Sequence, residues 1–182
     1  MKILSFDIGI HNFAFIVGTV KEQTFDICFM ENKDLLPNVN VNKISLDYGF
    51  FQKFHTYLKQ HHSLFQKCCV CLIERQLLTK KNYKASTMYH HLVSHFCIFF
   101  PHIKVIGFPS KQKYSFHFHS SIYRNRKNMA TDFIENVLRN QNDSIALEWF
   151  NSYSKKDDIA DCILIFLSYL KRHDYISKIS ET

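Results

Sequence analysis

Five carboxylates in this chain stand where carboxylates are costly, and together they could do metal-ion chemistry. Asp7 is set into a strongly apolar opening run, Ile3-Leu4-Ser5-Phe6-Asp7-Ile8. A charge there needs a partner, because an unpaired carboxylate among apolar groups loses its hydration without compensation. Gly9 follows two residues later, where a chain can turn or let another group approach closely. Glu74 ends a second apolar run, Cys68 to Ile73, and is followed by Arg75-Gln76. The third group is Asp157, Asp158 and Asp161 in Lys155-Lys156-Asp157-Asp158-Ile159-Ala160-Asp161. Spacings of three and four residues put side chains on one helical face, so Asp161 can share a face with either Asp157 or Asp158. The macrodipole of a helix favours acids in its first turn, which by itself accounts for Asp157 and Asp158. Asp161 lies deeper, in a helix that is apolar nearly all round, and so calls for a polar pocket.

Carboxylates gathered at one point cannot all stay ionised without a cation. Hard divalent ions that prefer oxygen, Mg²⁺ with Mn²⁺ as a substitute, are the simplest partners. Two such ions about 4 Å apart make a phosphodiester-cleaving centre, one activating the attacking water and the other steadying the leaving oxygen. The charge balance agrees with a polyanionic substrate: 23 Lys and Arg against 16 Asp and Glu leave a net +7. Such an excess attracts nucleic acid before other partners.

These acids must be positioned by elements that the hydrophobic pattern outlines. The opening run and Phe13 to Gly18 read as paired strands, and Thr24 to Met30 as a third, giving an antiparallel meander. Glu31 to Lys43, with Pro37 and several Asn, reads as a loop. Ser45 is placed to cap a helix in which Leu46, Phe50, Phe54 and Leu58 recur at helical spacing to about His61. Cys68 to Ile73 is a fourth strand ending at Glu74. A helix from about Asn82 to Phe100 follows, stopped at Pro101, and Ile103 to Phe108 is a fifth strand. Residues 110–127 form a basic, aromatic loop. Ala130 to Arg139 is a helix, a short helix or turn surrounds Trp149, and Ser154 caps a last helix through Leu170. Three strands followed by alternating strands and helices predict an α/β sandwich on a mixed five-stranded sheet. In such sheets ligands gather at the carboxyl ends of parallel strands, so Asp7 and Glu74 share an edge if their strands are neighbours.

The length of 182 residues suits one domain, and no domain boundary or repeat is visible. No stretch approaches the roughly 20 apolar residues of a membrane span, and the first residues do not have the form of a signal peptide. The six cysteines, three of them in Cys68-Cys69-Val70-Cys71, read as reduced thiols of a reducing intracellular compartment. His91 and His95 have the spacing of two metal ligands, but no paired Cys knuckle accompanies them, and zinc is not expected.

The motifs Asp7-Ile8-Gly9-Ile10-His11-Asn12, Ile73-Glu74-Arg75-Gln76 and Lys155-Lys156-Asp157-Asp158-Ile159-Ala160-Asp161 resemble the signature of the poxvirus-type Holliday junction resolvases, relatives of RuvC in the ribonuclease H-like superfamily. The resemblance spans nearly the whole chain. It implies one ribonuclease H-like domain over residues 1–182 in a homodimeric, Mg²⁺-dependent endonuclease. Such an enzyme cuts four-way DNA junctions by paired nicks in the cytoplasm or nucleus of a host cell. The metal ligands it implies are Asp7, Glu74, Asp158 and Asp161, with Asp157 as an alternate. It also implies a catalytic lysine, placed at Lys111 in preference to Lys113.

Basic residues beside these motifs are candidate DNA contacts: Lys80, Lys81 and Lys84 after Glu74, Lys113, and Arg124, Arg126 and Lys127 beside Tyr123. A solvated helix start explains Lys80, Lys81 and Lys84 almost as well, whereas Arg124, Arg126 and Lys127 form the stronger patch against an ordinary surface loop. Rival functions are a nuclease of RNA–DNA hybrids or other branched DNA, and a non-catalytic junction-binding subunit. An actin-like nucleotide binder is disfavoured, because the four glycines are not clustered into a phosphate loop.

Overall fold

The computed structural model describes residues 1–40, 43–79, 82–110, 112 and 123–176, and of residues 123–126 the backbone alone. Five strands, β1 (Lys2–Asp7), β2 (Phe13–Lys21), β3 (Thr24–Lys33), β4 (Val70–Arg75) and β5 (Lys104–Pro109), form one sheet in the order β3-β2-β1-β4-β5. β1, β2 and β3 pair antiparallel, whereas β4 lies parallel to β1 and β5 parallel to β4. The expected mixed sheet, a meander continued by parallel strands, is therefore the one that forms.

Helices cover both faces. α1 (Tyr48–Gln60), α2 (His62–Phe65) and α3 (Tyr83–Phe99) pack on one side, and α4 (Tyr123–Asn140), α5 (Ser144–Ser152) and α6 (Lys156–Arg172) on the other. The strands alternate accordingly: Leu4 and Phe6 point to the α1–α3 layer, while Ile3 and Ser5 face α6. The abundant Phe residues fill the first layer. Phe6 meets Phe15 and Phe96 at ring-centroid separations of 5.3 and 5.5 Å, and Phe13 meets Phe54 at 5.1 Å. α6 is the spine of the second layer, with every residue from Ile159 to Leu170 buried except Asp161.

Several boundaries differ from those the sequence predicts. The N-cap of α1 is Asp47, whose carboxylate accepts from the Phe50 amide at 3.0 Å, and not Ser45. β3 runs on to Lys33, because pairing with Phe13 to Phe15 overrides the polar character of Glu31 to Lys33. β4 begins at Val70 and includes Glu74 and Arg75. α4 starts at Tyr123, well before Ala130, so the end of the basic loop is helical. α6 has Lys155 at its cap with no side-chain hydrogen bond, so Ser154 does not cap it.

Gly18 lets β2 lie close to α6: a Cβ there would stand 2.4 Å from the Phe166 ring, which is fully buried. Gly18→Ala should therefore cost about 1–3 kcal/mol in urea unfolding, since the ring has nowhere to retreat.

Between α1 and α3, His55 Nδ1 and His95 Nδ1 meet at 3.1 Å, which requires one ring to donate and the other to accept. Burial first, then the neighbouring His55, His91, His62 and Lys59, pull His95 from 6.5 down to about 4. The unfolded chain therefore binds this proton at higher pH than the folded one. Stability is whole above the unfolded value and should fall by about 3 kcal/mol as pH drops towards the folded value. Denaturant titrations across that window should show the slope, and His95→Phe should flatten it.

Candidate active site

The parallel pairing of β1 and β4 aligns Phe6 with Ile73, so the next step in register brings Asp7 abreast of Glu74. Side chains alternate along a strand, which puts Asp7 on the face of Ser5 and Glu74 on the face of Leu72, the face covered by α6. Glu74 is only 6% exposed. The same edge continues through Ala14, paired with Asp7, to Asn32, paired with Ala14.

α6 is fixed over this edge by a buried bond: Ser5 Oγ donates to the Cys162 carbonyl at 2.8 Å. Its first turns carry the remaining acids. Asp158, 7% exposed, accepts from Asn32 Nδ2 at 3.3 Å and pairs with Lys155 Nζ at 2.9 Å. Asp157 pairs instead with Lys127 of α4, which separates two neighbours that the sequence leaves interchangeable. The thiol of Cys162 lies fully buried within α6. Burial pushes it well above its ordinary value, and the charges of Asp7, Asp161 and Asp158 push it further, partly offset by a backbone hydrogen bond at Asp7.

Among the described residues, no three His, Cys, Asp or Glu side chains stand close enough to make a finished metal cage. The donor set still fits a hard divalent ion. It is all carboxylate oxygen, and it is spread over the ends of two adjacent strands and the first turns of the helix laid across them.

The other expected residues fall as follows. Lys84, at the start of α3, lies over the Tyr83 ring with Nζ 5.8 Å from its centroid. Arg124 and Arg126 are on the first turn of α4, and their side chains lie outside the described residues, as do Lys80, Lys81, Lys111 and Lys113 altogether. Sequence reasoning passed over Asn32, Lys155, Ser5 and Cys162 as participants. Only the Lys-Lys pair before Asp157 hinted at one of them.

A meander extended by parallel strands, helices on both faces and acids at the carboxyl edge make this a ribonuclease H-like fold of the RuvC type. Solved structures that share it include the following. The fowlpox virus Holliday junction resolvase is 22% identical with a TM-score of 0.63, over 95% of this chain and 99% of that one. The same resolvase in complex with substrate Holliday junction DNA gives 22% and 0.66 over the same shares. Thermus thermophilus RuvC gives 14% and 0.58 over 95% and 97%. The chain belongs to the Poxvirus A22 protein family, whose sequence model matches residues 1–173, as the motif resemblance implied. A search of curated proteins finds no match.

Lys127 opposes the desolvation that would otherwise raise Asp157, and holds its carboxyl below the usual value. A carboxylate lowered in the folded state stabilises above its unfolded value, and that contribution disappears as pH falls through the folded one. Lys127→Met should therefore raise the Asp157 value in a carboxyl NMR titration. It should also lower stability at neutral pH by about 1 kcal/mol, because the pair is only partly buried.

Proposed function

We propose that this chain is a structure-selective DNA endonuclease that resolves four-way junctions by paired phosphodiester nicks, with one nuclease domain across residues 1–182. The observation that supports the reading is the alignment of Asp7 with Glu74 at the sheet edge covered by α6, whose first turns carry Asp158 and Asp161, in a member of the Poxvirus A22 family. Two related proteins support the substrate: the fowlpox enzyme is a Holliday junction resolvase, and both it and the Thermus RuvC have been solved with a Holliday junction.

Asp7, Glu74, Asp158 and Asp161 would hold two Mg²⁺, for which Mn²⁺ can substitute. Bound there, the ions supply Lewis acidity at the scissile phosphate and lower the pKa of water. The chain's own groups do the rest. Ser5 and the apolar flank of α6 hold the acids rigidly at the sheet edge and exclude water from behind them. Asn32 and Lys155 orient Asp158 and balance its charge. Lys111, two residues beyond β5, would meet the charge that builds on the phosphate. The basic residues Lys80, Lys81, Lys84, Lys113, Arg124, Arg126 and Lys127 would follow the DNA backbone. Each chain offers one such edge, so symmetric cutting of a junction calls for a homodimer.

A labelled four-way junction should be nicked in Mg²⁺ and left intact in EDTA, ahead of flap, duplex and RNA–DNA hybrid controls. Asp7→Asn and Asp161→Asn should lose cleavage by roughly two orders of magnitude or more while still binding the junction. Wild-type cutting by Asp7→Asn would remove the site assignment. Binding without any metal-dependent cutting would leave a non-catalytic subunit.

A further inference from the structure

Beside the acidic edge stands a second constellation that the carboxylate site does not use. The connection from β1 to β2, residues 8–12, rises from the edge that carries Asp7, and β3 ends at the same edge, with Lys33 paired to Phe13. Asp34 follows directly, and its Oδ1 accepts from His11 Nδ1 at 2.9 Å and from the Leu36 amide at 2.9 Å. The Leu35 amide donates to the Ile10 carbonyl at 3.0 Å, tying the two loops together. Gly9 allows the tight return: a Cβ there would stand 2.9 Å from the Asn12 carbonyl oxygen. His11 is thus an imidazole clamped on one nitrogen, on a loop tied to the end of β3 by two hydrogen bonds.

Its other nitrogen is open. The His11 side chain is 23% exposed, and Nε2 makes no hydrogen bond to the described residues. The pair stands at the sheet edge that carries Asp7, where the neighbouring Ile10, Leu35 and Leu36 pack toward α1 while Asp7 and Glu74 lie on the α6 face.

We propose that His11 is a phosphate-contacting residue for the nucleic-acid strand entering the acidic edge, and that Asp34 positions it. Asp34 accepts from Nδ1, and a phosphate oxygen would accept from Nε2. The proposal rests on the junction-cleaving reading for its substrate, but its test does not require cutting.

Binding of a fluorescent four-way junction, followed by anisotropy in EDTA at slightly acidic to neutral pH, separates the two. His11→Ala should weaken binding about five- to ten-fold and reduce the slope of log K against log salt by about one, as loss of one phosphate contact does. Asp34→Asn keeps an oxygen for the Leu36 amide and removes a negative charge from a surface that meets a polyanion. Simple electrostatics therefore predicts tighter binding for it. If Asp34 acts through His11, binding weakens instead, and the penalty of His11→Ala shrinks in the Asp34→Asn background. Circular dichroism confirms that each variant is folded. Wild-type affinity and salt slope in His11→Ala would overturn the proposal, as would tighter binding by Asp34→Asn with the His11→Ala penalty undiminished. A wild-type protein that binds but never nicks in Mg²⁺ would sink the nuclease reading and leave this one to the anisotropy result.

Discussion

The structure depends on how charge is placed at the ends of its two most apolar elements. β1 and α6 are both buried along nearly their whole length, and each ends or begins in carboxylates at the same sheet edge. Neither could carry those acids in its middle, where desolvation would exceed any gain from pairing. The Ser5–Cys162 hydrogen bond sets the helix against the strand in a fixed position. Inside a close-packed layer such a bond has little room to slide, so the start of α6 and the end of β1 keep one arrangement.

The charge around that edge is balanced locally rather than by the protein's overall field. Lys155 lies three residues before Asp158 on the same element, whereas Lys127 reaches Asp157 from α4. The two adjacent aspartates therefore have different environments despite their chemical identity. Asp158 is almost wholly buried beside Asn32 and the sheet, while Asp157 looks outward to the neighbouring helix. Helical geometry separates successive side chains by about 100°, which is enough to give one acid to the sheet and the other to α4.

The opposite layer has a different task. Its Phe rings, stacked at Phe6–Phe15, tilted at Phe6–Phe96 and edge-to-face at Phe13–Phe54, pack the sheet against α1 and α3. Among its polar members, His55 and the buried His95 satisfy one another, and His61 pairs with Glu31. A stiff aromatic floor under β1 and β4 and a deeply buried helix over them leave the carboxyl edge as the place where polar groups from several elements converge.

Much of this was legible in the chain itself. Period-two and helical repeats marked all five strands and the long helices, because burial of one face writes itself directly into residue order. The costly positions of Asp7, Glu74 and Asp161 marked the candidate site for the same reason: a carboxylate among apolar neighbours stands out before any fold is known. Element ends were less legible. Pairing with β2 carried β3 through polar residues, and α4 began inside a basic stretch with no apolar face to announce it. The choice between Asp157 and Asp158 could not be made from spacing, since both lie within a turn of Asp161. Nor could the roles of Ser5, Asn32, Lys127 and the His11–Asp34 pair be read, because each joins residues distant in sequence through a single contact. Local pattern records which side of an element is buried. Which distant groups then share a pocket is decided only when the register of the strands and the packing of α6 bring them together.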